Sequence, residues 1–341
     1  MSATRSSPTS EPRSWPLSMP TMAAEQDHLA GGARGGGPDA PVDMPGAHDT
    51  VAWSVFVAEA TRRLDAAGVA NADREAKWLV ARAAGVEPAE LALVSNQAAS
   101  TRHVAFFDAM LDRREAGEPI QYVLGQWAFR SLELVVDRRV LIPRPETEQL
   151  VDVALAELDR SPTSMPVVVD LGTGSGAIAL AIATERRSSV VWATDVSLDA
   201  LAVASANVAG IGRDGARVQL REGSWFDALP PELVGSIDVI VSNPPYVAPD
   251  DEVAPDVAAW EPAVALWPGA TGLEALEVIV DGAGSWLRPG GSVIVELAPW
   301  QAVIVSDRAS AAGLENVHIG SDLTGRPRWV SARRPGGPGP P

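Results

Sequence analysis

Asn243-Pro244-Pro245-Tyr246 directly follows the apolar run Ile237-Asp238-Val239-Ile240-Val241-Ser242. These residue types suit one task, the grip of a planar –NH₂ group. Asn243 offers a side-chain carbonyl as acceptor. Pro244 and Pro245 fix φ and remove two N–H donors, so the Pro244 carbonyl has fewer local partners and can face a ligand. Tyr246 adds an aromatic face against which a flat group can lie. In isolation the tetrapeptide also reads as a rigid turn, because Asn before Pro is ordinary turn chemistry. Its place after an apolar run favours a site, since buried parallel strands deliver ligand-binding residues at their carboxyl ends.

A second motif complements the first. Val167-Val168-Val169-Asp170-Leu171 runs into Gly172-Thr173-Gly174-Ser175-Gly176, a strand entering a glycine-rich turn that opens a helix. Such a turn lets backbone N–H groups approach a ligand closely. A phosphate-binding Walker loop would end in Gly-Lys-Ser/Thr, which is absent, and a dinucleotide fingerprint prefers Gly-x-Gly-x-x-Gly. Asp170 at the strand tip would repel a pyrophosphate but suits a ligand bearing an ammonium and a sulfonium, as S-adenosylmethionine does. Asp195 ends the next apolar run, Val190–Thr194, at the position from which a carboxylate accepts both ribose hydroxyls. The alternative is that Asp195 caps the following helix. Trp225, in Gly223-Ser224-Trp225-Phe226, follows the third strand, where it either stacks on an adenine ring or belongs to the core.

Composition removes other chemistries. The chain has no cysteine, which excludes disulfides, thiolate zinc sites and cysteine nucleophiles. Its histidines, His28, His48, His103 and His318, have no metal-ligand spacing. No apolar stretch is long enough to span a membrane, and the N-terminus lacks a signal-peptide core, so a cytoplasmic protein without a membrane partner is expected. The net charge is −17, with −3 over residues 1–50, zero over 51–145 and the rest beyond. No region carries the basic excess of a phosphate-tracking surface, which argues against direct nucleic-acid binding.

The elements that must position these motifs follow from periodicity. Residues 1–49 are rich in Pro, Gly and Ser and have no period that buries a face, so a disordered tail is expected there and again at 335–341. Residues 50–118 read as a small helical domain. Residues 119–145 form a linker, in which the alternation of Leu132, Leu134, Val136 and Val140 around Asp137-Arg138-Arg139 predicts a β-hairpin. From 146 to 334, strands and helices alternate after a helix over Thr147–Leu158. Five strands and a closing pair at Val317–Ile319 and Arg328–Ala332 predict an α/β fold with a doubly wound, mostly parallel seven-stranded sheet.

Together these motifs resemble the S-adenosylmethionine-dependent Rossmann-like amino-methyltransferases. More narrowly, they resemble the family that N5-methylates the glutamine of peptide-chain release factors (HemK/PrmC type). Outside the catalytic motifs, Pro119-Ile120-Gln121-Tyr122-Val123-Leu124-Gly125, Val140-Leu141-Ile142-Pro143-Arg144-Pro145-Glu146-Thr147-Glu148 and Gly272-Leu273-Glu274-Ala275-Leu276 are similar to that family's segments. Ser224 stands where relatives often have Asp, and Leu297-Ala298-Pro299 replaces a more usual Ile-Gly. The resemblance implies a glutamine side-chain amide in a Gly-Gly-Gln loop as acceptor, with Asn243, Pro244 and Tyr246 as catalytic residues. The glycine turn, Asp170, Asp195, Trp225 and Asn243 would then bind the donor. It further implies that the helical domain docks the release factor, the plainer alternative being a helical cap that stabilises the catalytic sheet, and a monomer is expected. Another planar amine, a ribosomal-protein glutamine or adenine N6, is the competing acceptor.

Overall fold

The computed structural model describes residues 51–336, so the disorder expected over 1–49, and most of 335–341, lies outside the described residues. Two compact units divide at Ala109/Met110. In the first, α1 (Trp53–Ala66), α2 (Ala72–Ala84) and the short α3 (Leu91–Val94) precede α4 (Thr101–Glu115), in which the division falls. Trp53, Phe56, Ala60 and Leu64 recur every three or four residues and form the buried stripe of α1. Phe56 meets Phe107 edge-on, with ring centroids 5.2 Å apart.

In the second unit, α5 (Ile120–Leu124) stops at Gly125, whose left-handed φ of 73° turns the chain into the hairpin β1 (Gln126–Phe129) and β2 (Leu132–Val135). This corrects the predicted hairpin. Its turn lies at Arg130, which adopts a φ of 53°, and not at Asp137-Arg138-Arg139. The alternation over 132–136 is therefore one arm. Asp137 makes a separate turn, in which its Oδ1 accepts from the Arg139 N–H at 3.0 Å and its carbonyl from the Val140 N–H at 3.1 Å.

After α6 (Glu148–Leu158), the chain alternates β3 (Val167–Leu171), α7 (Ala177–Glu185), β4 (Val190–Asp195), α8 (Leu198–Gly210), β5 (Val218–Glu222) and β6 (Ile237–Ser242). It then adds α9 (Pro255–Trp260), α10 (Glu274–Trp286), β7 (Leu287–Glu296), α11 (Ala302–Ala311), β8 (Glu315–Ser321) and β9 (Pro327–Arg333). The sheet order is β5-β4-β3-β6-β7-β9-β8. Strands β3 to β7 are parallel to their neighbours, and β9 runs antiparallel between β7 and β8. This is the doubly wound, mostly parallel seven-stranded sheet that the alternation predicts.

Strand periodicity divides the core between the two faces. Val168, Val191, Val239 and Val241 face the helices α6, α7 and α8, whereas Val169, Leu171, Ile240 and Val293 face α10 and α11. Every residue of β6 is buried, as a central parallel strand covered on both faces should be. Asp238 is the polar exception. It accepts from the Val167 N–H at 2.8 Å, from the Ser161 and Thr163 hydroxyls, and from Arg288. From β3 the chain winds outward through β4 to β5, then crosses back so that β6 lies on the other side of β3. That reversal opens a crevice at the carboxyl ends of β3 and β6. Among the described residues, no helix is long and apolar enough to cross a membrane.

Candidate active site

A cavity of about 340 Å³ opens in that crevice. Residues from four carboxyl-end segments line it: Gly172 to Ser175 after β3, Asp195 to Ser197 after β4, Gly223 to Trp225 after β5, and Asn243 and Pro245 after β6. Both motifs singled out in the sequence thus meet at the switch point.

The glycine turn is set by backbone bonds. The Thr173 N–H donates to the Thr194 carbonyl at 2.8 Å, and the Gly174 N–H to Asp195 Oδ2 at 2.9 Å. Gly172 has a φ of 72° and Gly174 one of 55°, a region that side-chain-bearing residues enter only at a cost. The Trp225 ring lies against Gly172, where an added Cβ would stand 3.6 Å from it. The Trp225 ring lines the cavity and also packs against the apolar core.

Asp195 is held by backbone N–H groups. Its Oδ1 accepts from the Ser197 N–H and its Oδ2 from the Gly174 N–H, each at 2.9 Å. Burial raises its pKa, against those backbone N–H groups. The cap of α8 is not Asp195 but Ser197, whose hydroxyl accepts from the Ala200 N–H.

Asp170 departs from expectation. It does not line the cavity but lies 1% exposed beneath the turn. Its Oδ2 accepts from the Thr173 hydroxyl at 2.6 Å and from the Ala179 N–H at 3.1 Å, while its Oδ1 has no hydrogen-bond partner among the described residues. Burial pushes its pKa up to about 7. These two bonds hold the turn from below.

On the acceptor side, Asn243 Nδ2 donates to Thr147 Oγ1 at 3.2 Å, and the Thr147 hydroxyl donates to Glu296 Oε2 at 2.7 Å. The Tyr246 hydroxyl donates to Glu296 Oε1 at 3.3 Å, so its ring is held behind the loop, outside the cavity lining. Burial first, and the neighbouring Glu296 second, raise the Tyr246 pKa and keep the phenol protonated. The buried Gln301 side chain clamps the loop further by donating to the Tyr246 and Gly272 carbonyls at 2.8 and 2.9 Å. Pro244 is likewise outside the lining, and Gly176 lies behind the turn against Leu180.

Two further segments close the mouth, Arg139 to Pro143 and Pro262 to Pro268. Arg144 pairs with the buried Glu261, which also accepts from the Ile142 N–H, and the Arg138 guanidinium lies 4.2 Å over the Trp260 ring. Tyr122 Oη donates to the Val140 carbonyl at 2.6 Å, so the linker motif reaches the cavity wall through one hydrogen bond. Asn207 ties β2 to the glycine turn. It exchanges bonds with the Val135 N–H and carbonyl, and donates to the Ser175 carbonyl at 2.8 Å.

Sequence reasoning had not assigned site roles to Thr147, Glu296, Asn207 or Ser197. Glu296 carried a usable signal, an acid at the carboxyl end of the strand beside β6. Thr147 lay inside a quoted motif, but nothing local to it points to Asn243. Among the described residues, no group of His, Cys, Asp and Glu could hold a metal ion.

A glycine turn, a carboxylate and an aromatic wall around one cavity fit S-adenosylmethionine. With the sheet order, they define a Rossmann-like S-adenosylmethionine-dependent methyltransferase. Residues 56–125 match the PrmC N-terminal domain, and residues 151–260 match the methyltransferase small domain. A release factor glutamine methyltransferase of Cereibacter sphaeroides is 42% identical over 278 residues, covering 81% of this chain and 96% of that protein. Those of Streptomyces coelicolor and Mycolicibacterium smegmatis are each 39% identical, covering 82% and 81% of this chain and 96% and 95% of their own lengths. The chain belongs to the release factor glutamine methyltransferase family.

Proposed function

We propose that this protein transfers a methyl group from S-adenosylmethionine to the side-chain amide nitrogen of the glutamine in the Gly-Gly-Gln motif of peptide-chain release factors. The observation that carries this reading is the meeting of the glycine turn after β3 with Asn243 after β6, on hydrogen-bonded neighbouring strands and around one cavity. Gly172 to Ser175, Asp195 and Trp225 hold the donor, which supplies an electrophilic methyl group on a sulfonium.

An amide nitrogen is a poor nucleophile because its lone pair is delocalised into the carbonyl. The Asn243 side-chain oxygen, in the cavity lining, and the adjoining Pro244 carbonyl, outside it, accept its two protons and aim the nitrogen. Their attraction grows as positive charge builds there. No dedicated base is required when the proton leaves after the transfer. Tyr246 acts from behind the loop, by holding it to Glu296.

Residues 50–118 serve as the docking surface for the release factor, and 119–145 as the linker to the catalytic domain at 146–334. The absence of a basic region favours a protein acceptor over nucleic acid, and the protein acts as a monomer in the cytoplasm. The test is to incubate it with a release factor and S-adenosylmethionine and to locate the added methyl by peptide mass spectrometry. Modification of the Gly-Gly-Gln glutamine is expected. Methylation elsewhere would overturn the substrate and spare the chemistry.

A further inference from the structure

We propose that Thr147 and Glu296 are positioning residues that lock the Asn243 carboxamide with its oxygen toward the acceptor, and that the lock holds only while Glu296 is ionised. The proposal deepens the glutamine-amide reading above and rests on it. A carboxamide has two ends of nearly equal size, one a double donor and the other an acceptor. If Asn243 presented its –NH₂ to the cavity, donors would face the –NH₂ of the acceptor amide and no grip would form. Some neighbour must decide between the two orientations.

Thr147 does so through a fixed polarity. A hydroxyl has one proton, and an ionised carboxylate only accepts. The Thr147 proton is therefore committed to Glu296 Oε2 at 2.7 Å. What remains on Thr147 Oγ1 is a lone pair, and Asn243 must offer it Nδ2, at 3.2 Å. The flipped carboxamide would set oxygen lone pairs against each other in a buried place, where Thr147 is 4% and Glu296 2% exposed. Tyr246 supports the same polarity by donating to the other oxygen, Oε1.

A proton on Glu296 removes this constraint. Its carboxyl could then donate to Thr147 Oγ1, the Thr147 hydroxyl could turn to Asn243, and both carboxamide orientations would find a partner. The charged and titratable groups facing Glu296 are Tyr246 after β6, Arg328 on β9, which favours the carboxylate, and Glu146 before α6, which opposes it. Burial outweighs them and pushes Glu296 up to about 7. The polarity of the lock thus changes within the neutral range, and turnover falls as pH drops through it.

The test measures kcat, KM for a release factor and donor affinity from about pH 5.5 to 8.5. Thr147→Val should lower kcat about 10-fold or more, with KM and donor affinity within about threefold, and Thr147→Ser should recover most of the loss. Glu296→Gln should lower kcat by about 10-fold or more and abolish the acidic limb of its pH profile. A Thr147→Val enzyme with wild-type kcat, or an acidic limb that persists in Glu296→Gln, would overturn the proposal.

A second measurement needs no acceptor. In the full-length protein, the Asn243 side-chain ¹H–¹⁵N signals, assigned by their loss in Asn243→Ala, should titrate with a midpoint near 7. They should shift in Thr147→Val and stop titrating in Glu296→Gln. Signals indifferent to both changes refute the lock. A wild-type enzyme that methylates no release factor refutes the substrate instead, and leaves these signals to decide.

Discussion

The two sides of the cavity are held by different kinds of bond. Around the glycine turn at 172–176, main-chain N–H groups donate to one carbonyl and two carboxylates. Thr173 binds the Thr194 carbonyl, Gly174 binds Asp195 and Ala179 binds Asp170. On the acceptor side, Asn243, Thr147, Glu296 and Tyr246 meet through side chains alone, across sequence separations of 96, 149 and 50 residues. A main-chain N–H can only donate, so the polarity of the bonds at the turn is fixed even where they end on a carboxylate. A wall built from hydroxyl, carboxamide and carboxylate takes its polarity from where each proton sits. The turn accordingly has donors of one fixed sense, and the loop after β6 has donors and acceptors that can exchange.

The largest expected effect concerns the carboxylate beneath the donor side. Burial raises Asp170 from 3.8 to about 7, a displacement worth on the order of 4 kcal/mol at about 1.4 kcal/mol per pH unit. The folded state then binds a proton that the unfolded state has released. The stability this group confers is full below the unfolded value and is lost as pH rises through about 7. Glu296 acts with the same sign. Asp137, Asp238 and Asp322 have lowered values and act with the opposite sign, at more acidic pH. Urea denaturation should therefore show a more stable protein near pH 5.5 than near pH 8, and Asp170→Asn should flatten the slope. An unchanged slope in Asp170→Asn would mean that the cradle does not rest on a strained carboxylate.

Next in size is Asp195→Ala. It removes two ribose contacts to a charged group, at about 1.5–3 kcal/mol each before water compensates, and it frees the Gly174 and Ser197 N–H groups. Affinity for S-adenosylmethionine measured by calorimetry should fall about 100-fold or more, a loss of about 3 kcal/mol. Unaltered affinity would remove Asp195 from the donor side and leave the cradle to Gly172–Ser175 and Trp225.

What the sequence made legible follows the same division. Central strands covered on both faces read as apolar runs, so β3, β4 and β6 and the residues at their carboxyl ends are evident. The residues around the glycine turn are local to two strand ends, which is why one glycine pattern and one strand-end acid point to them. Asn243 stands out too, but its partners do not, because no periodicity connects Thr147 to Asn243 or to Glu296. Asp170 was misplaced for a related reason. A strand tip can face the cavity or the space beneath the turn, and only the Thr173 hydroxyl and the Ala179 N–H decide which. The hairpin erred where alternation ran on past Val135, since a left-handed turn at Arg130 has no signature in an arginine side chain.

Asn243→Ala gives the smallest loss and the most direct comparison. It deletes one oriented hydrogen bond to the acceptor, about 1–3 kcal/mol, so kcat should fall about 10–100-fold. Among the described residues, the Asn243 side chain shares no hydrogen-bond partner with the glycine turn, and donor affinity should stay within about threefold of wild type. For the same reason, the free-energy losses of Asp195→Ala and Asn243→Ala in kcat/KM should add to within about 0.5 kcal/mol in the double variant. Unchanged turnover in Asn243→Ala would end the proposed grip on the amide. Strong non-additivity would instead show that the two sides move as one body, coupled through the pairing of β3 with β6 and the Ser242 hydroxyl on the Leu171 carbonyl.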